Sequence, residues 1–174
     1  MPAGTGAALR VLAAACRAHS VAEVGTGTGV SALWLLGGMA PDGVLTTIDV
    51  EPEHQRAARQ AFTAAGIKPA RTRLIAGRAL DVLPRLADRA YDLVLVDGDP
   101  TEAADDVDQA VRLLRPGGIL AVNAALWRDR VADPARRDDT TVAVRELGRR
   151  VRADERLVSA LLPCGDGLLV AVRR

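Results

Sequence analysis

The stretch Glu23-Val24-Gly25-Thr26-Gly27-Thr28-Gly29-Val30-Ser31 decides the fold. An apolar, β-rich run over Val21–Val24 enters a glycine-rich turn, and a helical pattern over Val30–Met39 leaves it. Glycines in such a turn let the backbone reverse tightly and approach a ligand closely, beside a helix N-terminus. A strand–glycine–helix turn also serves plain backbone geometry, so its neighbours decide between the two readings. The spacing is GxGxG, with Val30 where the third glycine of the dinucleotide pattern GxGxxG would stand. Glu23 lies on the strand itself, where an unpaired acid would be costly, so a partner for its carboxyl is expected.

Outward from this stretch, strands and helices alternate. Ala3–Arg17 precedes it with helical composition. Val44–Ile48 is a second strand that ends at Asp49, and Glu51-Pro52-Glu53 opens a helix that stops at Gly66. Proline and acids in a first turn suit the fixed φ and the helix dipole. Arg71–Ala76 is a third strand and Arg78–Leu86 a short helix. Tyr91–Val96 is nearly all apolar, as a strand buried on both faces should be, and it ends at Asp97. Thr101 is placed to cap the next helix, Pro116-Gly117-Gly118 reads as a turn, and Ile119–Val122 is the fifth strand. Leu126–Asp139 reads as a surface loop and Thr140–Arg152 as a helix. Val158–Leu162 and Leu168–Val172 are joined by Pro163-Cys164-Gly165-Asp166-Gly167, which is hairpin chemistry, so these strands should be antiparallel. Five βα units and a terminal hairpin make an α/β, doubly wound fold.

Composition excludes several classes. The 174 residues, 49% hydrophobic and 26% charged, suit one globular domain over residues 1–174. No apolar run is long enough to cross a membrane, and the N-terminal stretch lacks the basic region of a signal peptide, so the expected location is cytoplasmic. A net charge of +1 from 23 basic and 22 acidic residues, with 2% aromatics, argues against nucleic acid or a membrane surface as partner. The Arg pairs at 136–137, 149–150 and 173–174 read as solvated faces. Lys68 is the one lysine, so a catalytic lysine could be no other residue. Cys16 and Cys164 have no metal-ligand spacing and read as ordinary thiols of a reducing compartment.

Three places carry chemistry. Asp49, at the end of the second strand, is placed to accept hydrogen bonds from a ribose diol, or to cap the helix that follows. NAD and S-adenosyl-L-methionine (SAM) both offer that diol. Asp97-Gly98-Asp99-Pro100 stands at the carboxyl end of strand four, where open α/β sheets bind ligands. Its two carboxylates could bind a metal, accept a proton or neutralise a sulfonium, or serve as turn and cap. Asn123 ends strand five on the same edge of the sheet, followed by Ala124, Ala125 and Trp127.

In order, the chain carries EVGTGTGVSALWLL, GVLTTIDVEPEHQRAAR, AGRALDVLPRL, YDLVLVDGDP, LLRPGGILAV and LLPCGDGLLVAV. This series resembles the catechol-type class I SAM-dependent O-methyltransferases, and most of all their actinobacterial branch, over essentially the whole chain. The resemblance implies a Rossmann-like, seven-stranded, mostly parallel sheet with an antiparallel C-terminal hairpin. It implies SAM as cofactor, a small hydroxylated, phenolic molecule as methyl acceptor, and a homodimer. By the resemblance Glu23, Gly25, Thr26 and Gly27 would line the cofactor pocket, and Ser31 would bond the methionine carboxylate. Asp49 would hold the ribose hydroxyls, and Gly77, Arg78 and Ala79 would lie beside the adenine. Asp97 would sit near the sulfonium and, in family members, ligate a divalent cation.

Three departures from the family pattern stand out. Pro100 occupies the position of a catalytic lysine, and Asn123-Ala124 occupies that of an Asp-Asn pair that completes the metal site. The family also carries some tens of residues ahead of the first helix read here, part of a substrate lid, so the chain is short at its N-terminus. No metal is therefore expected, and Asp97 or Asp99 is the expected general base. A degenerate SAM-binding module or partner subunit is the alternative. An NAD-dependent oxidoreductase is disfavoured by the GxGxG spacing and the terminal hairpin.

Overall fold

Seven strands form one sheet in the order β3-β2-β1-β4-β5-β7-β6. The strands are β1 (Ser20–Val24), β2 (Val44–Asp49), β3 (Thr72–Ala76), β4 (Tyr91–Val96), β5 (Leu114–Val122), β6 (Leu157–Leu162) and β7 (Leu168–Arg173). The helices are α1 (Ala3–Ala15), α2 (Val30–Leu36), α3 (Pro52–Ala64), α4 (Ala79–Val82), α5 (Ala103–Leu113) and α6 (Asp139–Ala153). These elements come from a computed structural model that describes residues 1–174. Strands β1 to β5 pair in parallel, whereas β7 runs antiparallel to both β5 and β6. The architecture is the α/β, doubly wound one that the alternation of elements implies.

Strand β4 shows how the sequence dictates the layers. Successive side chains point to opposite faces of a strand. Leu93 and Leu95 pack with Leu9, Ala13, Leu35, Ala58 and Phe62 under α1, α2 and α3. Val94 and Val96 pack with Leu83, Val107, Ala110 and Leu147 under α4, α5 and α6. An unbroken apolar strand is the consequence of two covered faces. On β1, Val21 faces the first layer while Ala22 and Val24 face the second. Glu23 therefore points into the α1–α3 layer, and it is fully buried there.

Four local expectations are corrected. Pro116–Gly118 is not a turn before β5 but a bulge inside it. Leu114 pairs with Tyr91 and Ile119 with Leu93, so five residues of β5 span two of β4. The surplus residues loop out at Gly117, whose φ is +77°. Thr101 does not cap α5, because its own N–H and hydroxyl donate to Asp99 Oδ1. The helical pattern over 78–86 divides into α4 and a 3-10 turn at Leu83–Arg85, where Pro84 cannot supply the next helical N–H. Finally, α2 stops at Leu36, ahead of Gly37-Gly38.

The chain order reverses between β1 and β4. The connection from β1 crosses to β2 on one side, and the later strands build outward on the other. The loops after β1 and β4 consequently part, leaving a crevice at the carboxyl ends of the strands.

Candidate active site

The loop after β1 forms one wall of that crevice. Gly25 has φ +90°, and a Cβ there would stand 2.3 Å from the Asp97 carbonyl oxygen. No residue with a side chain could let β1 and β4 close up at this point. Gly27, at φ +49°, would meet nothing with an added Cβ, so its backbone borders open space. The Gly27 N–H donates to Asp49 Oδ2 over 2.9 Å, which fastens the loop to the end of β2. Asp49 Oδ1 accepts from the Glu51 N–H at 2.9 Å, and His54 Nδ1 lies 3.2 Å from both carboxylate oxygens. The residue preceding α3 is Glu51 and makes no side-chain cap. Asp49 thus braces the glycine loop more than it caps the helix.

Beneath the loop runs a buried chain of polar groups. Gln55 Nε2 donates to Thr26 Oγ1 at 3.1 Å. Thr26 Oγ1 and Thr47 Oγ1 are 2.7 Å apart, and Thr47 donates to Glu23 Oε2 at 2.6 Å. With Glu23 ionised, Thr47 donates to it and Thr26 donates to Thr47, so all the donors run toward the one carboxylate. Glu23 therefore has the partner that the sequence called for, on one oxygen only; Oε1 has none. Burial pushes its pKa up to about 7, with the nearby Asp97 and Asp49 carboxylates adding to the rise. Thr47 and the neighbouring Ser31 hydroxyl act in the opposite sense, although Ser31 makes no bond of normal geometry to Oε1. Glu23 was expected on the pocket wall. It lies instead under the wall, shielded from the cleft, because β1 turns it into the α1–α3 layer.

The opposite wall comes from the loops after β3 and β4. Asp97 is half-buried, and its Oδ1 accepts from Asn123 Nδ2 at 2.8 Å. Burial raises its pKa, and the Asn123 bond partly offsets this. Asp99 is exposed, and its Oδ1 holds both the N–H and the hydroxyl of Thr101, at 2.8 and 2.7 Å. Those bonds lower its pKa, which makes it the poorer base of the two. Arg78 reaches from the β3 loop to form an ion pair with Glu102, ahead of α5.

Together these residues enclose a cleft of about 770 Å³, bordered by Gly25–Thr28, Ser31, Asp49, Gly77–Ala79 and Asp97–Asp99. Apart from Glu23, every residue expected at the cofactor site is at this one cavity. A second, smaller pocket of about 220 Å³ lies beside it, walled by Val96, Pro100, Val122, Trp127, Val144 and Leu147. Asp97 and Gly98 border both spaces.

Sequence reasoning missed four residues. His54 borders the cleft and Gln55 reaches the polar chain beneath it because Pro52 starts α3 three residues after Asp49, so the first turn of the helix points back at the strand end. Thr47 was visible only as a β-branched strand residue. Asp106 also borders the cleft, and the residue is 1% exposed. Its signal was present in the spacing, since it interrupts the buried stripe Ala103, Val107, Ala110 at helical intervals.

A divalent cation does not suit the strand-five end of the site. Asp97 and Asn123 are bonded to each other, Ala124 offers a methyl group, and no three His, Cys, Asp or Glu side chains converge anywhere in the chain.

Known proteins resemble this chain throughout. The family described as O-methyltransferase matches residues 1–174. A Mycobacterium ulcerans protein named "Putative O-methyltransferase" is 61% identical over 168 residues, which are 97% of this chain and 75% of that protein. The crystal structure of a Corynebacterium glutamicum protein superposes with a TM-score of 0.92 at 37% identity, covering 99% of this chain and 81% of the other. The O-methyltransferase TomG of Streptomyces achromogenes, involved in tomaymycin synthesis and crystallised with SAM, superposes at 0.90 with 28% identity, again over 99% and 81%. With its sheet order, its glycine loop and its full-length match all in agreement, this chain belongs to the O-methyltransferase family.

Proposed function

We propose that the chain, acting as one domain, binds SAM in the large cleft and methylates a hydroxyl of a small phenolic molecule seated in the adjoining apolar pocket. The observation that carries this reading is the shared border. Methyl transfer needs donor and acceptor in two spaces that meet at one point, and here they meet at Asp97 and Gly98. The fit to the cofactor rests on the cleft itself. Its volume lies within the ~300–1,000 Å³ usual for cofactor sites. Gly25 and Gly27 keep side chains out of it, and the Asp49 carboxylate stands at its wall. In this reading Ser31 binds the methionine carboxylate and Asp49 the ribose diol. Gly77, Arg78 and Ala79 lie along the base. Glu23 acts from below, through Thr47 and Thr26, as a positioning residue for the loop.

When bound, SAM supplies an electrophilic methyl group on a sulfonium. The protein's own part is alignment and proton removal. Asp97 serves as the base in preference to Asp99. Burial raises its pKa and its Oδ1 is oriented by Asn123, whereas Asp99 is occupied by Thr101. The acceptor hydroxyl sits against Asp97, and its ring lies among Pro100, Trp127, Val144 and Leu147. In this reading the transfer proceeds without a divalent cation, which the Asp97–Asn123 bond and the methyl group of Ala124 support.

The test is transfer of labelled methyl from SAM to catechols, flavonoids and simple phenols, with and without EDTA. Turnover that survives EDTA is expected. Turnover abolished by EDTA and restored by millimolar Mg²⁺ would overturn the cation-free reading. Tight binding of S-adenosylhomocysteine (SAH) with no turnover on any acceptor would leave a SAM-binding module.

We further propose a homodimer that works in the cytoplasm. The outermost strand, β6, exposes Val158 and Leu161 at 56% and 48%, an apolar edge suited to a second copy. Cys16 and Cys164 are both free thiols, as a reducing compartment allows. No helix is long and apolar enough to cross a membrane. Light scattering should give twice the 18.3 kDa chain mass; a monomer at high micromolar concentration would refute the dimer.

A further inference from the structure

Asp106 is the fourth residue of α5, and its residue is 1% exposed. Its Oδ1 is buried with no hydrogen-bond partner. Its Oδ2 lies 3.9 Å from the point where a Cβ on Gly98 would stand, and the side chain borders the cleft. A buried carboxyl without a partner costs free energy, and the apolar stripe around it on α5 would accept a hydrophobic residue at lower cost. The groups around it do not compensate. Glu102, Asp105 and Asp99 are all acidic, and Arg78, at the same mouth, is already paired with Glu102. Burial and these three acids push the Asp106 pKa up to about 7, so below neutrality it is largely a carboxylic acid.

The place of Asp106 in the cleft says what it faces. Asp49 holds the ribose end on the proposed reading, and Asp97 marks the end where the methyl group is transferred. The remaining part of the cleft lies between the Gly77–Ala79 loop and Gly98, with Asp106 behind it. Gly77, Ala79 and Gly98 contribute little or no side chain there, which suits a flat ring. We propose that Asp106 reads the amino edge of the bound adenine: its hydroxyl donates to a ring nitrogen and its carbonyl oxygen accepts from the exocyclic amino group. A protonated carboxyl offers one donor and one acceptor side by side, and so does that edge of adenine, in the complementary order. This assignment rests on the SAM reading above.

The experiment measures calorimetric binding of SAH, and of the analogue whose purine lacks the 6-amino group, at pH 6 and pH 8.5. The proteins are the wild type, Asp106→Ala and Asp106→Asn. The wild type should prefer SAH over the deamino analogue by about tenfold at pH 6, the worth of one well-placed buried bond. Its SAH affinity should fall several-fold at pH 8.5, where the ionised carboxylate has no proton for the ring nitrogen. Asp106→Ala should lose about tenfold in SAH affinity at pH 6 and bind both compounds alike. Asp106→Asn, which keeps a donor group beside an acceptor and does not titrate, should hold its pH 6 affinity and lose the pH dependence. Neither variant breaks a bond in the fold, so both should stay folded. Wild-type affinity and amino preference in Asp106→Ala would overturn the assignment while leaving the cofactor reading intact. A pH dependence persisting in Asp106→Asn would do the same and point to Glu23. Failure of the wild type to bind SAH at all would bring down the cofactor reading, and this assignment with it.

Discussion

Two buried acids flank the same cleft, and their surroundings could hardly differ more. Glu23, under the β1 loop, ends a chain of donors from Gln55 through Thr26 and Thr47. Asp106, on α5 behind the opposite wall, has no bond on its buried oxygen. Both have a pKa raised to about 7, chiefly by burial. The same titration thus arises from opposite arrangements. On the β1 side the acid is part of the scaffold, and removing it leaves other groups orphaned. On the β4 side it is an isolated cost that the fold carries, which is the mark of a group held for a ligand rather than for stability.

The contrast can be broken hardest at the point where the two walls touch. Gly25→Ala would drive a Cβ to 2.3 Å from the Asp97 carbonyl oxygen at a left-handed φ of +90°. Backbone strain and overpacking together should cost roughly 4 kcal/mol, measured by chemical denaturation, and SAH binding should be lost. Stability within ~1 kcal/mol of wild type would mean that the walls move apart freely.

Stability against pH comes next. Both acids hold protons in the folded state that the unfolded chain, with ordinary carboxyl pKa values, has already released between about pH 4.5 and 7. Their contribution is complete below the unfolded pKa and is lost as pH rises to about 7, so these two groups make the protein less stable at pH 7.5 than at pH 5. Glu23 alone should contribute roughly 2 kcal/mol of that fall. Denaturation curves for Glu23→Gln should be correspondingly flatter, and an unchanged slope would remove Glu23 from the account.

Asp49→Ala should weaken SAH binding by about 1.5–3 kcal/mol in calorimetry, the range for a bond to a charged group. It also frees the Gly27 N–H and the Glu51 N–H, so part of the loss should appear as slower association by a loosened loop. Unchanged affinity would sever the glycine loop from cofactor binding.

The smallest effect has the opposite sign. Asp106→Leu removes an unpartnered buried carboxyl and fills the apolar stripe of α5, so it should stabilise the fold by about 1 kcal/mol at pH 7.5. Destabilisation would show that Asp106 has a structural partner after all, and the contrast with Glu23 would collapse.

Much of this was legible in the chain itself, because periodicity and turn chemistry are local. Apolar runs of strand length, helical patterns between them and the Gly/Asp hairpin at 163–167 determine the α/β architecture and its antiparallel ending. The glycine loop, Asp49 and Asp97 could be picked out because strand ends are where this topology puts its ligands. Other features depended on where distant segments meet. The bulge in β5 arises from pairing with β4, which no reading of Arg115–Gly118 alone contains. Glu23 lies beneath the cleft rather than on its wall because strand parity and the covering α2 choose its face. Asp99 accepts both donors of Thr101 while Asp97 accepts one bond from Asn123, and only the tertiary structure decides which oxygen accepts from which donor. Asp106 reads in sequence as one acid among Asp105, Asp106 and Asp108. Its burial follows from the rotation of α5 against the sheet. Burial in turn removes water from its carboxyl, raises its pKa and leaves its oxygen waiting for a partner, and that is a property of packing alone.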